Sequence, residues 1–378
     1  MDTRALNRAL LARQGLLTPL DLDVVAAAEA IGAVQSQYWP AVATAFAGRL
    51  AAFDPADLHA ALERRELLTG PLVRATLHVA SARDHALYAT VTDASGVCDW
   101  RRTTKDPLPE AASLRELVAE YARSPRTRDE LAAFIEDWLA AHPGAIPDTE
   151  ADRQRQSGWR PVLTWPGFTR VGRWDTAKGP ETMLAAPVLP NAPGAASPDE
   201  ALDAVVRAYL RAFGPAGADD ITQWLAWKVG PVRASLVRLA GALAEFEDES
   251  GRTLYDLPDA ERPDADVPAP ARLLPWFDST LLAYTPARRQ RILPEGTWDR
   301  VYRRVGLRID PTFLVDGFVS GLWSLKATAR AGKTSKVVVT LAPFGKLGKA
   351  VRDELAAESE RVHGALYPGA AVSVTFEE

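Results

Sequence analysis

The chain has 378 residues, 47% of them hydrophobic and 25% charged, and a formal net charge of -5. This composition excludes a fibrous or wholly disordered chain, and the length allows two or three domains of about 100–200 residues. No apolar run of about 18 residues occurs, so no membrane span is expected, and the single cysteine, Cys98, excludes an internal disulfide or a Cys-rich metal cluster.

The opening Met1-Asp2-Thr3-Arg4 lacks the basic start and apolar core of a secretory signal, which predicts a cytoplasmic protein. Residues 4–14 and 21–34 have helical spacing of apolar side chains. Asp54-Pro55 reads as a capped start with proline in the first turn of a helix over 56–66. The segment 72–79 alternates as a strand with Val73, Leu77 and Val79 on one face. The opposite face then carries Arg74, Thr76 and His78, which could line a groove.

Between these elements stands Val34-Gln35-Ser36-Gln37-Tyr38-Trp39-Pro40. Placed at a helix end, with Pro40 blocking further helix, Gln35 and Gln37 could both face a cleft beside Tyr38 and Trp39. An amide accepts through its oxygen and donates through its nitrogen. It can therefore position a nucleophilic water, although it cannot take a proton at neutral pH. Two solvated glutamines on a surface are the plainer reading of the same residues.

Further along, residues 142–147 read as a linker, 114–122 as a helix, and Thr127-Arg128-Asp129-Glu130 as a capping box opening a helix through Leu139. Arg155 and Trp159, within Arg153-Gln154-Arg155-Gln156-Ser157-Gly158-Trp159-Arg160, suit backbone contact and base stacking. Strands are expected at 162–165 and 168–174, then a proline-rich linker at 186–198. Helices are expected at 198–213, 219–228 and 232–243, then a hairpin pairing 244–247 with 253–257. Three helices with a hairpin after them make the winged-helix unit, and about three copies fit before residue 262.

After a loop at 257–270 the pattern turns to strands at 273–284, 312–319, 322–329, 336–341 and 371–376, with a helix at 346–363. Asp316-Gly317 is a two-residue hairpin signal. Residues 270–352 hold fifteen Arg or Lys against five acids, a net of +10 that leaves -15 for the remainder. A segregated basic block is the footprint of a polyanion partner. Lys326, Arg330, Lys333 and Lys336 surround a glycine turn and could contact phosphates or enter a groove. Gly332-Lys333-Thr334 lacks the leading glycine of a phosphate-binding loop, so nucleotide binding is rejected. The histidines at 59, 78, 85, 142 and 363 have no metal-ligand spacing, and no nucleophile-elbow or zinc-protease motif occurs. No cofactor and no metal are expected.

Gly32-Ala33-Val34-Gln35-Ser36-Gln37, Arg74-Ala75-Thr76-Leu77-His78 and Tyr209-Leu210-Arg211-Ala212-Phe213-Gly214-Pro215 stand in fixed order along the chain. With Leu274-Pro275-Trp276-Phe277-Asp278 and Val315-Asp316-Gly317 through Gly321-Leu322-Trp323, they resemble the AlkZ-like and YcaQ-like winged-helix DNA glycosylase superfamily, the azinomycin-resistance type of alkylpurine glycosylase. The resemblance covers nearly the whole chain. It implies an α+β fold of three tandem winged-helix units around a DNA-binding channel, plus a C-terminal β-barrel-like region. The units would span residues 1–100, with the catalytic Gln-x-Gln, 101–190 and 191–262, and the basic β-rich region 263–378. Gln35 and Gln37 match the Gln-x-Gln of the AlkZ-like members, whereas YcaQ-like members carry Asp at the last position. Ser36 departs from the aliphatic residue expected between them.

The resemblance further implies a monofunctional glycosylase that hydrolyses the N-glycosidic bond of cationic N7- or N3-alkylated purines in DNA repair or self-resistance. Bulky or crosslinked genotoxin adducts are further candidate substrates. Its partner would be double-stranded DNA, its state a monomer, and its place the nucleoid. The residues by themselves also admit a non-catalytic tandem winged-helix DNA-binding protein or regulator.

Overall fold

A computed structural model describes residues 1–97, 113–159, 164–172, 182–185, 197–330 and 333–377. The linker expected at 186–198 lies outside them up to residue 196, as do Ala331-Gly332 and parts of both strands expected between 162 and 174.

The first part of the chain folds as α1 (Thr3–Arg13), α2 (Val24–Ile31), β1 (Val34–Gln35), α3 (Trp39–Arg49), α4 (Pro55–Glu63), β2 (Leu67–Pro71), β3 (Leu77–Ser81) and α5 (Ala82–Ala94). Local chemistry sets the boundaries. Asp23 accepts from the Val25 and Ala26 amides at 2.8 Å and so opens α2, and Asp54 and Ser81 do the same for α4 and α5. Pro40 sits in the first turn of α3 and does not block a helix, because a first-turn residue needs no amide donor. Gln35 and Gln37 consequently lie on the extended link between two helices, not at a helix end. The three strands pair in the order β1-β3-β2, all antiparallel.

The middle segment holds α6 (Leu114–Tyr121), β4 (Arg126–Thr127), α7 (Arg128–Ala141), α8 (Asp148–Gln156), β5 (Phe168–Val171) and β6 (Thr182–Ala185). The Thr127–Glu130 capping box is formed as the sequence predicts. Leu114, Val118, Leu131, Ile135, Trp159 and Phe168 make a core of their own.

Next along the chain are α9 (Pro198–Phe213), α10 (Ala218–Leu225), α11 (Val229–Leu239), β7 (Ala244–Glu247) and β8 (Thr253–Asp256). α9 packs on α1, α2, α5 and α11, at the centre of the largest core, which also draws in Tyr284, Leu314 and Val319. Tyr209 donates to the Ala283 carbonyl and Tyr284 to the Phe213 carbonyl, each at 2.7 Å, which pins α9 to the β-rich region beyond it.

That region comprises β9 (Arg272–Leu274), a 3-10 segment Pro286–Arg291, α12 (Trp298–Val301), β10 (Tyr302–Arg303), β11 (Arg308–Ile309), β12 (Thr312–Val315), β13 (Phe318–Arg330), β14 (Lys333–Pro343), α13 (Lys349–Leu366) and β15 (Ala371–Phe376). The expected barrel-like region is instead an open five-stranded sheet in the order β15-β14-β13-β12-β9. β14 and β15 run parallel, so α13 must cross over between them, and it covers one face through Val351 and Leu355. The long strand expected at 273–284 shrinks to three-residue β9, which packs on α3 and α13 and leaves the sheet an edge rather than a seam. Asp316 (φ +48°) and Gly317 (φ +84°) form the expected hairpin turn. Arg8, buried on α1, bonds to the Asp316 carboxylate, and Arg4 pairs with it at 2.7 Å.

Candidate active site at the end of β1

Gly32 ends α2 with φ +81°, and a Cβ there would lie 3.2 Å from Phe213 and 3.3 Å from Ala212. Only glycine lets the chain turn this close to α9. β1 then holds Gln35 buried, while Gln37, two residues past the strand, is exposed. The Ser36 amide donates to the Leu77 carbonyl at 2.8 Å, and the Leu77 amide donates to Gln37 Oε1 at 3.3 Å. Gln37 thus completes the ladder with its side chain. Gln35 Oε1 accepts from Arg74 at 3.2 Å.

Both contacts fix chemistry that an amide usually leaves open. A guanidinium and a backbone N–H can only donate, so each glutamine must turn its oxygen toward them. Among the described residues the two Nε2 groups, and the second lone pair of each oxygen, are left for a ligand. A small cleft opens beside Gln35 between Ala41 and Ala45 of α3 and the loop Pro275–Ser279, with room for a water molecule rather than a base. Exposed Tyr38 stands next to Gln37, its ring 5.0 Å from Trp276 of that loop.

Beneath the cleft lies a buried network. Arg49 meets both Asp278 oxygens at 3.0 and 2.8 Å, and Asp278 also accepts from the Thr280 amide and hydroxyl. Arg49 donates to Gln14 Oε1, and Gln14 Nε2 donates to the Ile31 and Ala212 carbonyls. The carboxylate lining the cleft is therefore held by Arg49 and Thr280, which leaves the Gln35 amide, among the described residues, as the cleft's uncommitted polar group; Gln37 lies outside the lining.

Arg74, Thr76 and His78 do not share a strand face. Residues 73–75 form a 3-10 turn in which Arg74 (φ +57°) and Ala75 (φ +56°) are left-handed, and Thr76 closes it by donating to the Val73 carbonyl. The turn swings Arg74 onto Gln35 and onto the Trp224 carbonyl at the end of α10. His78 is 1% exposed and bonds through Nδ1 to the Thr76 carbonyl, so it backs the site and does not face a groove. Burial, aided by Arg74, pushes it down to about 3. Desolvation also pushes the Arg74 guanidinium down to about 10, with repulsion from Arg289 adding to it.

Trp159 is not a stacking residue. It is 1% exposed in the middle-segment core and donates to Glu136 at 2.8 Å. Arg155 is exposed, but its charge is answered by Glu136 and Asp152. Lys326 and Lys336 are exposed on the sheet face away from α13, where Lys336 pairs with Thr328. For Arg330 and Lys333 the backbone register places the two opposite each other at the turn. A further hairpin, β10–β11, lies outside the expected strands, and its tip exposes Val305 (94%) and Leu307 (71%). Arg303, Arg304 and Arg308 flank those side chains, and two apolar residues around Gly306 inside an arginine run were the available signal.

A family model described as DNA glycosylase AlkZ-like matches residues 28–365. The interstrand DNA cross-link repair glycosylase of Streptomyces sahachiroi is 26% identical over 303 residues, 77% of this chain and 79% of that protein. The solved structure of the Streptomyces sahachiroi DNA glycosylase AlkZ superposes with a TM-score of 0.77 at 20% identity over the whole of both chains, which shows a shared fold.

Proposed function

The chain belongs to the AlkZ-like DNA glycosylase family, and on that footing we propose that it excises cationic N7- or N3-alkylated purines from duplex DNA, with Gln35 and Gln37 placing the water. The family is one of enzymes, which sets aside the regulator that the residues alone admitted. Alkylation makes the base a cation and a good leaving group. The C1′–N9 bond breaks with its electron pair passing to the purine, which departs neutral. A water oxygen bonds to C1′, and its proton is lost to solvent. Because the leaving group needs little help, positioning supplies most of the catalysis, and that is a task amides can do. Bulky and crosslinked adducts fall within the reading, since the cross-link repair glycosylase is a relative.

The observation that carries this reading is the locking of both amide oxygens by pure donors, Arg74 and the Leu77 amide. We assign the DNA-facing surface to Lys326, Arg330, Lys333 and Lys336, and the probing of the duplex to the exposed apolar tip at Val305 and Leu307. Three winged-helix units at 1–100, 101–190 and 191–262, ahead of the β-rich region 263–378 and acting as a monomer, is the organisation we adopt. The order α9, α10, α11 and then the β7–β8 hairpin supports it for the third unit.

The test is excision from an end-labelled duplex carrying one N7-methylguanine, with alkaline cleavage of the abasic site as the readout. Gln35→Ala and Gln37→Ala should each slow single-turnover excision by about 10²-fold or more, the cost of losing one preorganised polar group. Unchanged excision in the double variant would refute the assignment.

A further inference from the structure

Most deeply placed arginines here answer an acid. Arg13 pairs with Asp256, Arg49 with Asp278, and Arg288 with Asp219 and Asp220. Among the described residues Arg291, Arg74 and the half-buried Arg289 do not; Arg291 donates to the Pro215 carbonyl and lies over the Tyr284 ring at 4.0 Å. Among the described residues Arg74 has only neutral partners, the Trp224 carbonyl and Gln35 Oε1. Arg289 lies over the Trp298 ring at 4.2 Å, and its Nε is buried with no hydrogen-bond partner.

α10 brings the two together. Asp219 and Asp220 in its first turn hold Arg288, the neighbour of Arg289, while the Trp224 carbonyl in its last turn holds Arg74. The two guanidiniums are close enough for one to disfavour the charge on the other. Partly burying two like charges near each other without a counter-ion is costly, and an anion bound between them would offset that cost. A guanidinium fork matches the two free oxygens of a phosphodiester.

We infer that Arg74 and Arg289 form an anion site for one phosphate of the DNA backbone beside the reacting nucleotide. The inference rests on the glycosylase reading for the identity of the anion. It gives Arg74 two tasks. Nη2 orients the Gln35 amide and Nη1 bonds the Trp224 carbonyl, while Nε and the second hydrogen of each Nη hold the phosphate, so the sugar is registered against the water that Gln35 places. Arg289 then acts as a binding residue that touches the backbone and carries no base information.

The test pairs protein and DNA changes. Duplexes carry a 2′-fluorinated N7-methylguanosine, whose glycosidic bond resists hydrolysis, and a neutral methylphosphonate at one flanking phosphate at a time. Wild type should lose about tenfold in affinity at one position, the worth of a charge-assisted contact. Arg289→Gln should lose a similar factor on the natural duplex, be indifferent to that methylphosphonate, and show a salt slope smaller by about one. Arg289→Lys should recover part of the loss. A urea midpoint equal to wild type checks that the variant is folded. If every methylphosphonate weakens wild type and Arg289→Gln equally, the site is refuted. Coupling without excision of N7-methylguanine would keep the phosphate site and sink the glycosylase reading; excision without coupling would do the reverse.

Discussion

Gln35 lies directly across the β1–β3 ladder from His78, and both are buried. Directly opposed residues share one face of a sheet, so an imidazole backs the candidate catalytic amide. That ring is pushed down to about 3 by its burial and by Arg74. It is uncharged at neutral pH and too weak a base to activate water there. The rate of excision under single-turnover conditions is therefore expected to stay flat from about pH 6 to pH 8. A bell or a step in that window would show that a titrating group, and not two amides, governs the chemistry.

Stability should respond to acid even though the rate does not. His85 is fully buried, both ring nitrogens have no partner among the described residues, and burial pushes it down to about 4. Both His78 and His85 are held below their unfolded value of about 6.5, so the unfolded chain binds protons that the folded chain refuses. Their contribution is whole above about pH 6.5 and drains away as the pH falls toward 4, by about 1.4 kcal/mol per pH unit for each ring. Urea unfolding between pH 7 and pH 4.5 measures this. His85→Leu should roughly halve the slope.

The Arg49–Asp278 pair is a further sensitive point. Its partners are 229 residues apart in sequence and both side chains are nearly inaccessible. Asp278→Ala leaves a buried guanidinium uncompensated and should cost about 3–5 kcal/mol in urea unfolding. Arg49→Met combined with Asp278→Ala should recover much of that, because the stranded charge is gone. Excision by the folded double variant should still fall, since the loop that seats Trp276 and the end of α2 would lose its common anchor.

At the β10–β11 tip the expected signs are opposite. Val305 and Leu307 are exposed, so replacing both with serine should leave the unfolding midpoint within about 0.5 kcal/mol of wild type. If these side chains wedge into the duplex, excision and DNA bending should both drop. Equal bending by variant and wild type, read by energy transfer across a labelled duplex, would assign the tip no such role.

Much of the frame is legible in the sequence because local signals agree with it. Ser197 and Pro198 open α9, Gly214 stands just past its end, and the helix runs over 198–213 as the sequence predicts. Asp316-Gly317 marks a real turn, and 371–376 is a strand of those same bounds. The failures have particular causes. Pro40 reads as a helix stopper, yet in a first turn proline is a helix starter, and α3 goes unseen for that reason. Val73, Leu77 and Val79 alternate as a strand would, and two left-handed non-glycine residues, Arg74 and Ala75, carry no local signature. The spacing of Gln35 and Gln37 is visible in the sequence, but their partners are not. Arg74 reaches the site only through that unsignalled turn, and Arg49, Asp278 and Arg289 arrive from distant parts of the chain.

The ion pairs from α1 to Asp316 also bear on how the protein is born. The carboxylate that neutralises Arg8 is made 308 positions after it. At about 5–20 residues per second a ribosome needs on the order of fifteen seconds to a minute to deliver it. Until then the opening helix has α9 and Asp256 to pack on but lacks the partner of Arg8, and Arg49 waits in the same way for Asp278. A nascent chain halted before residue 316 should therefore hold both glutamines and excise nothing. Under this reading synthesis itself sets the order of events, and excision is expected only from chains in which both carboxylates have emerged.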